Sequence, residues 1–237
     1  MKKSVIKSVI IFIIAGFFIS CDAPSGGTLL HWACKKGHAD TVSLILEGGN
    51  ADIEARDGAG YTPVFWAVKE GHAEIIEMLA EKKADLSAVD TEGRNPLHIA
   101  SREGHVDITS YLISRDVPLD IKDSKGYFPI HYAYLENHKD VVLLLLKNGS
   151  PANVVDNSGY SLVHWAAEHG HADILAGLIK LQIPLNNTTN SGLAPIHLAA
   201  EQDNTDIVKQ LIRGGANAGV RWPERRLMDL LTLPGRE

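Results

Sequence analysis

A six-residue phrase recurs down the chain at nearly constant intervals: TLLHWA from Thr28, TPVFWA from Thr62, NPLHIA from Asn95, FPIHYA from Phe128, SLVHWA from Ser161 and APIHLA from Ala194. The steps are 34, 33, 33, 33 and 33 residues. Such a period describes one supersecondary unit copied end to end, each copy too small to bury its own apolar face and stable only against its neighbours. A chain built this way presents a surface before it presents a cleft.

Each phrase opens a helix. Thr62 and Ser161 are capping residue types, and Pro63, Pro96, Pro129 and Pro195 fit a first turn, where a backbone donor is already spare. The helix should stop at a second marker, seen as Gly37-His38, Gly71-His72, Gly104-His105, Asn137-His138 and Gly170-His171, and as Asp203-Asn204 in the sixth copy. Glycine or asparagine there suits the left-handed residue that ends a helix. A second helix follows, over 40–46, 74–79, 107–113, 140–146, 173–179 and 206–212, each led by an acid that favours the positive end of the helix dipole. Asp57 to Gly60, Asp90 to Gly93, Asp123 to Gly126 and Asp156 to Gly159 then supply turn chemistry for a tight hairpin.

Helix, helix and hairpin at 33 residues, with the Thr-Pro-Leu-His-x-Ala phrase, Gly-His and Asp-x-x-Gly, resembles the ankyrin repeat. The resemblance covers about residues 28–221 and implies an all-α solenoid of about six stacked repeats, at about 28–57, 58–90, 91–123, 124–156, 157–189 and 190–221. Residues 222–237 read as a capping helix and tail, with Leu227, Leu230 and Leu231 as its apolar side. There are departures: Phe65 stands where the phrase has His, and Thr189 replaces a hairpin Asp. Lys83, Asp116 and Gln182 hold the glycine position after the second helix, where a left-handed non-glycine costs about 1 kcal/mol. The one extra residue in the first step lies near Gly48, Gly49 and Asn50.

The resemblance also implies a non-enzymatic module that holds a protein partner on its hairpin tips and on the concave side of its first helices. Just after each tip glycine stand Tyr61, Arg94, Tyr127, Tyr160 and Leu193, and Tyr and Arg are frequent interface anchors. Before the second marker the helix ends carry Lys35-Lys36, Lys69-Glu70, Arg102-Glu103, Leu135-Glu136, Glu168-His169 and Glu201-Gln202, drifting from basic to acidic. The partner-binding candidates are therefore Tyr61, Arg94, Tyr127, Tyr160, Leu193, Lys69, Arg102, Glu136, Glu168 and His169, on a chain expected to be monomeric.

Residues 1–20 stand outside the repeats. Lys2, Lys3 and Lys7 precede an apolar run from Val9 to Ile19, the pattern of an export signal. The run is about 20 Å long as a helix, short of the roughly 30 Å hydrocarbon core. Phe18-Ile19-Ser20-Cys21 resembles a bacterial lipobox, with Phe18 in place of the usual Leu, which implies acylation of Cys21 and a membrane lipid anchor in the bacterial cell envelope; simple cleavage with secretion and an uncleaved single-pass anchor are the alternatives. Residues 21–27 read as a short tether. Without the three signal lysines, 20 basic and 29 acidic residues remain, a formal charge of −9, so attachment would rest on lipid rather than on anionic headgroups.

Ten of the eleven histidines occupy repeat positions, which favours structure over metal or acid-base chemistry; only His169 is left over. Neighbouring repeats stand about 8–10 Å apart, too far for equivalent histidines to share a zinc ion at about 2 Å. Cys34 follows the Ala of the phrase, at a small core position, and two cysteines make no disulfide framework. There is no Gly-x-Ser-x-Gly elbow, phosphate loop or basic stripe for nucleic acid, so neither a cofactor nor a metal is expected. Two other readings stay open: a ligand-binding or enzymatic groove around Glu168, His169 and His171, and a purely structural envelope role.

Overall fold

The computed structural model describes residues 24–223; the expected export signal, Cys21 and the expected capping helix beyond Pro223 lie outside the described residues. Within them are twelve helices in six pairs. The first helices of the pairs are α1 (Leu29–Lys36), α3 (Pro63–Lys69), α5 (Pro96–Glu103), α7 (Pro129–Leu135), α9 (Leu162–Glu168) and α11 (Pro195–Glu201). The second helices are α2 (Ala39–Glu47), α4 (Ala73–Glu81), α6 (Val106–Ser114), α8 (Lys139–Lys147), α10 (Ala172–Lys180) and α12 (Thr205–Arg213). First helices pack on first helices, and one continuous apolar core runs between the two layers. Ile75, Ile76 and Leu79 of α4 set the pattern, repeated by Ile174, Leu175 and Leu178 of α10. Each such side chain contributes about 1.5–3 kcal/mol when fully buried.

The phrase histidine explains how so short a helix starts. The backbone N–H of the capping residue donates to Nδ1 of His31, His98, His131, His164 and His197 at 3.0–3.1 Å. Nδ1 therefore carries a lone pair and Nε2 the proton. Nε2 then donates to the carbonyl of a residue in the following hairpin: Tyr61 for His31, Tyr127 for His98 and Leu193 for His164. One neutral ring thus caps its own helix and pins the next repeat. Phe65, in the divergent copy, instead stacks on Tyr61 with ring centroids 5.0 Å apart.

The second marker ends each first helix with a left-handed residue, including Gly37 at φ +72°, Asn137 at +61° and Asp203 at +53°. Lys83, Asp116 and Gln182 take the same conformation after their second helices, at φ +66°, +58° and +57°. In repeats two to six the following N–H closes a bond five residues back, as from Ala84 to Leu79; after α2 that bond is missing, because Asn50 is the extra residue.

Neighbouring hairpins are joined tip to tip: Thr91 N–H donates to the Ala59 carbonyl, Ser124 to Glu92 and Asn190 to Ser158. The ladder starts earlier than the phrase indicates. Gly58 N–H donates to the Ser25 carbonyl at 2.7 Å, Pro24 is buried, and Gly26 is left-handed at φ +74°. Residues 24–27, expected as tether, are thus the first hairpin tip, held by a backbone bond the sequence pattern does not reveal. At the other end Val220 supplies the carbonyl for His197, and Trp222 lies 4.5 Å from that ring.

One junction differs. Tyr134 occupies the place held by Cys34, Val68, Ser101, Ala167 and Ala200 in the other repeats, and it is fully buried. Its ring lies 5.3 Å from His131 and 5.8 Å from Trp165. The added bulk separates repeats four and five: α7 and α9 make the sparsest contact among the first helices, and His131 Nε2 finds no hairpin carbonyl. The tip rung is also altered, the Asn157 side-chain amide reaching the Lys125 carbonyl in place of a backbone donor.

Candidate functional site

The residues after the tip glycines do not form one exposed row. Each lies on the returning limb of its hairpin, with Tyr61, Arg94, Tyr127 and Tyr160 donating their N–H groups to Oδ1 of Asp57, Asp90, Asp123 and Asp156 at 2.8–2.9 Å. Their side chains therefore turn onto the first helices. Tyr61 is only 5 % exposed, between Phe65 and Trp66, and Arg94 only 8 % exposed, its guanidinium on the Asp90 carboxylate at 2.7 Å. Both are corrected from partner anchors to core and hairpin braces. Tyr127, Tyr160 and Leu193 remain half-buried, so part of each still meets solvent.

The true tips are the two residues before each glycine: Gly58-Ala59, Thr91-Glu92, Ser124-Lys125, Asn157-Ser158 and Asn190-Ser191. They are short and largely polar. The Asp-x-x-Gly spacing already marked them, since its central pair forms the turn.

The second carboxylate oxygen of the hairpin Asp reaches a side chain of the phrase. Trp66 Nε1 donates to Asp57 at 2.8 Å and the Tyr132 hydroxyl to Asp123 at 2.6 Å, so these aromatics are fixed to the fold. Trp165, at the same place, is 1 % exposed and its indole N–H has no such partner. Trp66 also carries the Lys35 and Lys69 ammonium groups over its ring at 4.8 and 4.9 Å.

The helix-end candidates do come together. Lys35, Lys69, Arg102, Leu135, Glu168 and Glu201 share one position on six adjacent first helices, and all reach solvent, Leu135 at 48 % exposure. The backbone of the first three is held from the next repeat: His72 Nε2 donates to the Lys35 carbonyl, His105 to Lys69 and His138 to Arg102, at 3.4, 3.1 and 2.8 Å. Beside them Glu136 and His169 are exposed.

These two histidine joints, from phrase to hairpin and from marker to helix end, recur in register with the helix pairs and hairpins. The chain matches the family described as Ankyrin repeats (3 copies) over residues 3–90, 85–156 and 143–221. It belongs to the ankyrin repeat family. No match is found among curated proteins. Ankyrin repeats are protein-interaction modules and are typically non-enzymatic.

In these ankyrin repeats the Glu168, His169 and His171 side chains are already engaged. Glu168 accepts the Tyr160 hydroxyl, His169 Nδ1 donates to the Trp165 carbonyl at 3.1 Å, and His171 Nε2 donates to Asn137 Oδ1 at 2.9 Å. Among the described residues no group of His, Cys, Asp and Glu has metal-site geometry, and no helix is long and apolar enough to cross a membrane. Burial pushes the Cys34 thiol up to about 12, well outside the reactive range.

Proposed function

We propose that this ankyrin repeat chain is exported, tethered to a bacterial membrane through an acylated Cys21, and holds a protein partner on its first-helix ends together with Tyr127, Tyr160 and Leu193. The observation that carries the docking part is the row at Lys69, Arg102 and Glu168: half-exposed charged side chains at one position of the first helices of repeats two, three and five, two of them with carbonyls clamped by the following repeat. Rigid presentation lowers the ordering cost of association. The anchoring part is supported by the lysine-led apolar run and the Phe18-to-Cys21 motif. Because Pro24 is already buried, only Asp22 and Ala23 separate Cys21 from the folded body, a reach of about 10 Å. The first repeat would then stand against the bilayer.

Crosslinking in the native envelope tests the docking part, comparing the wild type with Tyr127→Ala plus Tyr160→Ala. A captured protein that the double variant releases supports this face; equal capture removes it. Labelled palmitate tests the anchor: incorporation into the wild type and none into Cys21→Ser is expected, and an unlabelled wild type rules it out.

A further inference from the structure

The row of helix ends has an order. From the first repeat to the sixth it reads Lys35, Lys69, Arg102, Leu135, Glu168, Glu201: three cations, one exposed leucine, two carboxylates. Lys35 and Lys69 reach the Trp66 ring from successive repeats, so these two cations stand side by side at the basic end. Arg102 is paired with Glu103 at 2.7 Å, yet that pair is part-exposed and screened by solvent. The next column, Lys36, Glu70, Glu103, Glu136, His169 and Gln202, shows no such order, so the polarity belongs to one row.

Resting on the docking reading above, we infer that the partner is an extended protein segment of opposite polarity, with acidic residues over Lys35, Lys69 and Arg102, an apolar side chain on Leu135, and basic residues over Glu168 and Glu201. Neighbouring first helices stand about 8–10 Å apart and an extended chain advances about 3.3 Å per residue, so each repeat matches about three residues of partner. The whole row matches about fifteen. Charge complementarity of this kind sets register and direction more than affinity, and a segment laid the opposite way meets like charge at both ends. With the anchor at Cys21, the acidic end of the partner would point toward the membrane.

The test uses the full chain in detergent micelles and a synthetic peptide of about sixteen residues. The peptide carries glutamate at every third place in its first half, then leucine, then lysine at the same spacing, with a photocrosslinker at its acidic end. Fluorescence anisotropy at low salt should show binding that weakens about tenfold or more in Lys69→Glu plus Arg102→Glu. Crosslinks should fall in the first three repeats. Unchanged affinity in a double variant that melts like the wild type, or crosslinks spread evenly over six repeats, overturns the inference. Should that variant lose its helical signal, Glu201→Lys at the far end applies the same criterion. A native partner captured in the envelope but still held by the charge-reversed protein overturns the row alone; a wild type that captures nothing counts against the docking module itself.

Discussion

The ring of His72 lies over the backbone of Gly37: a Cβ built at residue 37 would fall 2.6 Å from His72 Cε1, while His72 Nε2 donates to the Lys35 carbonyl. The Gly-His marker is therefore a joint between repeats as well as a helix stop. The same approach recurs between Gly104 and His138 at 2.5 Å.

Gly104→Ala should consequently cost more than the left-handed penalty of about 1–2 kcal/mol, because φ is +76° and His138 must also move. Gly149→Ala, at φ +85° with nothing within 4 Å, should show that penalty alone. Urea melts of the two variants measure the difference, and equal losses would refute the joint.

Tyr132 and Tyr134 differ in what their hydroxyls touch. Tyr132→Phe removes a bond to Asp123 and leaves a carboxylate oxygen short of a donor, an expected loss of about 1–3 kcal/mol. Tyr134→Phe deletes a buried hydroxyl with no protein partner, so stability should be unchanged or higher by about 1 kcal/mol. Thermal denaturation of both variants checks the ordering.

Acid should weaken the fold before carboxylates titrate. Burial holds His98 and His131 down to about 4, and pushes His164 down as well. The unfolded chain takes up those protons near pH 6.5, so stability is fully present above that value and is lost as pH falls from about 6.5 toward 4. Each of the first two histidines contributes on the order of 2–3 kcal/mol to the drop. Urea midpoints across that range should fall steadily, and His98→Phe, a side chain already accommodated at residue 65, should flatten the slope.

Cys34 is fully buried, and its raised thiol pKa keeps it protonated at neutral pH. In Cys21→Ser, a disulfide reagent should leave the native protein unlabelled for hours and react at once in denaturant. Rapid native labelling would place Cys34 in a less protected setting than this core.

Helix starts, helix stops and the neighbourhood of the inserted residue, near Gly48, Gly49 and Asn50, were legible because each depends on a few adjacent residues. Proline at a first turn, a residue with positive φ past a helix end and Asp at a turn act locally, whatever surrounds them. The histidines were legible as structural for a related reason, since ten of eleven obey the period. Tyr61 and Arg94 were misplaced because sequence locates them beside a turn without saying which way a returning limb faces.

The sequence by itself determined the number of repeats, the direction of the chain through each and the basic-to-acidic order along one helix position. Only the tertiary structure decided which of those residues meet solvent. The reach of the Arg94 guanidinium to the Tyr61 hydroxyl, the clamp of His105 on Lys69, the early start of the hairpin ladder at Ser25 and the wedge of Tyr134 against Trp165 all depend on atoms about one repeat away. A period reports what every copy shares; the contacts between unlike copies arise only when they stack.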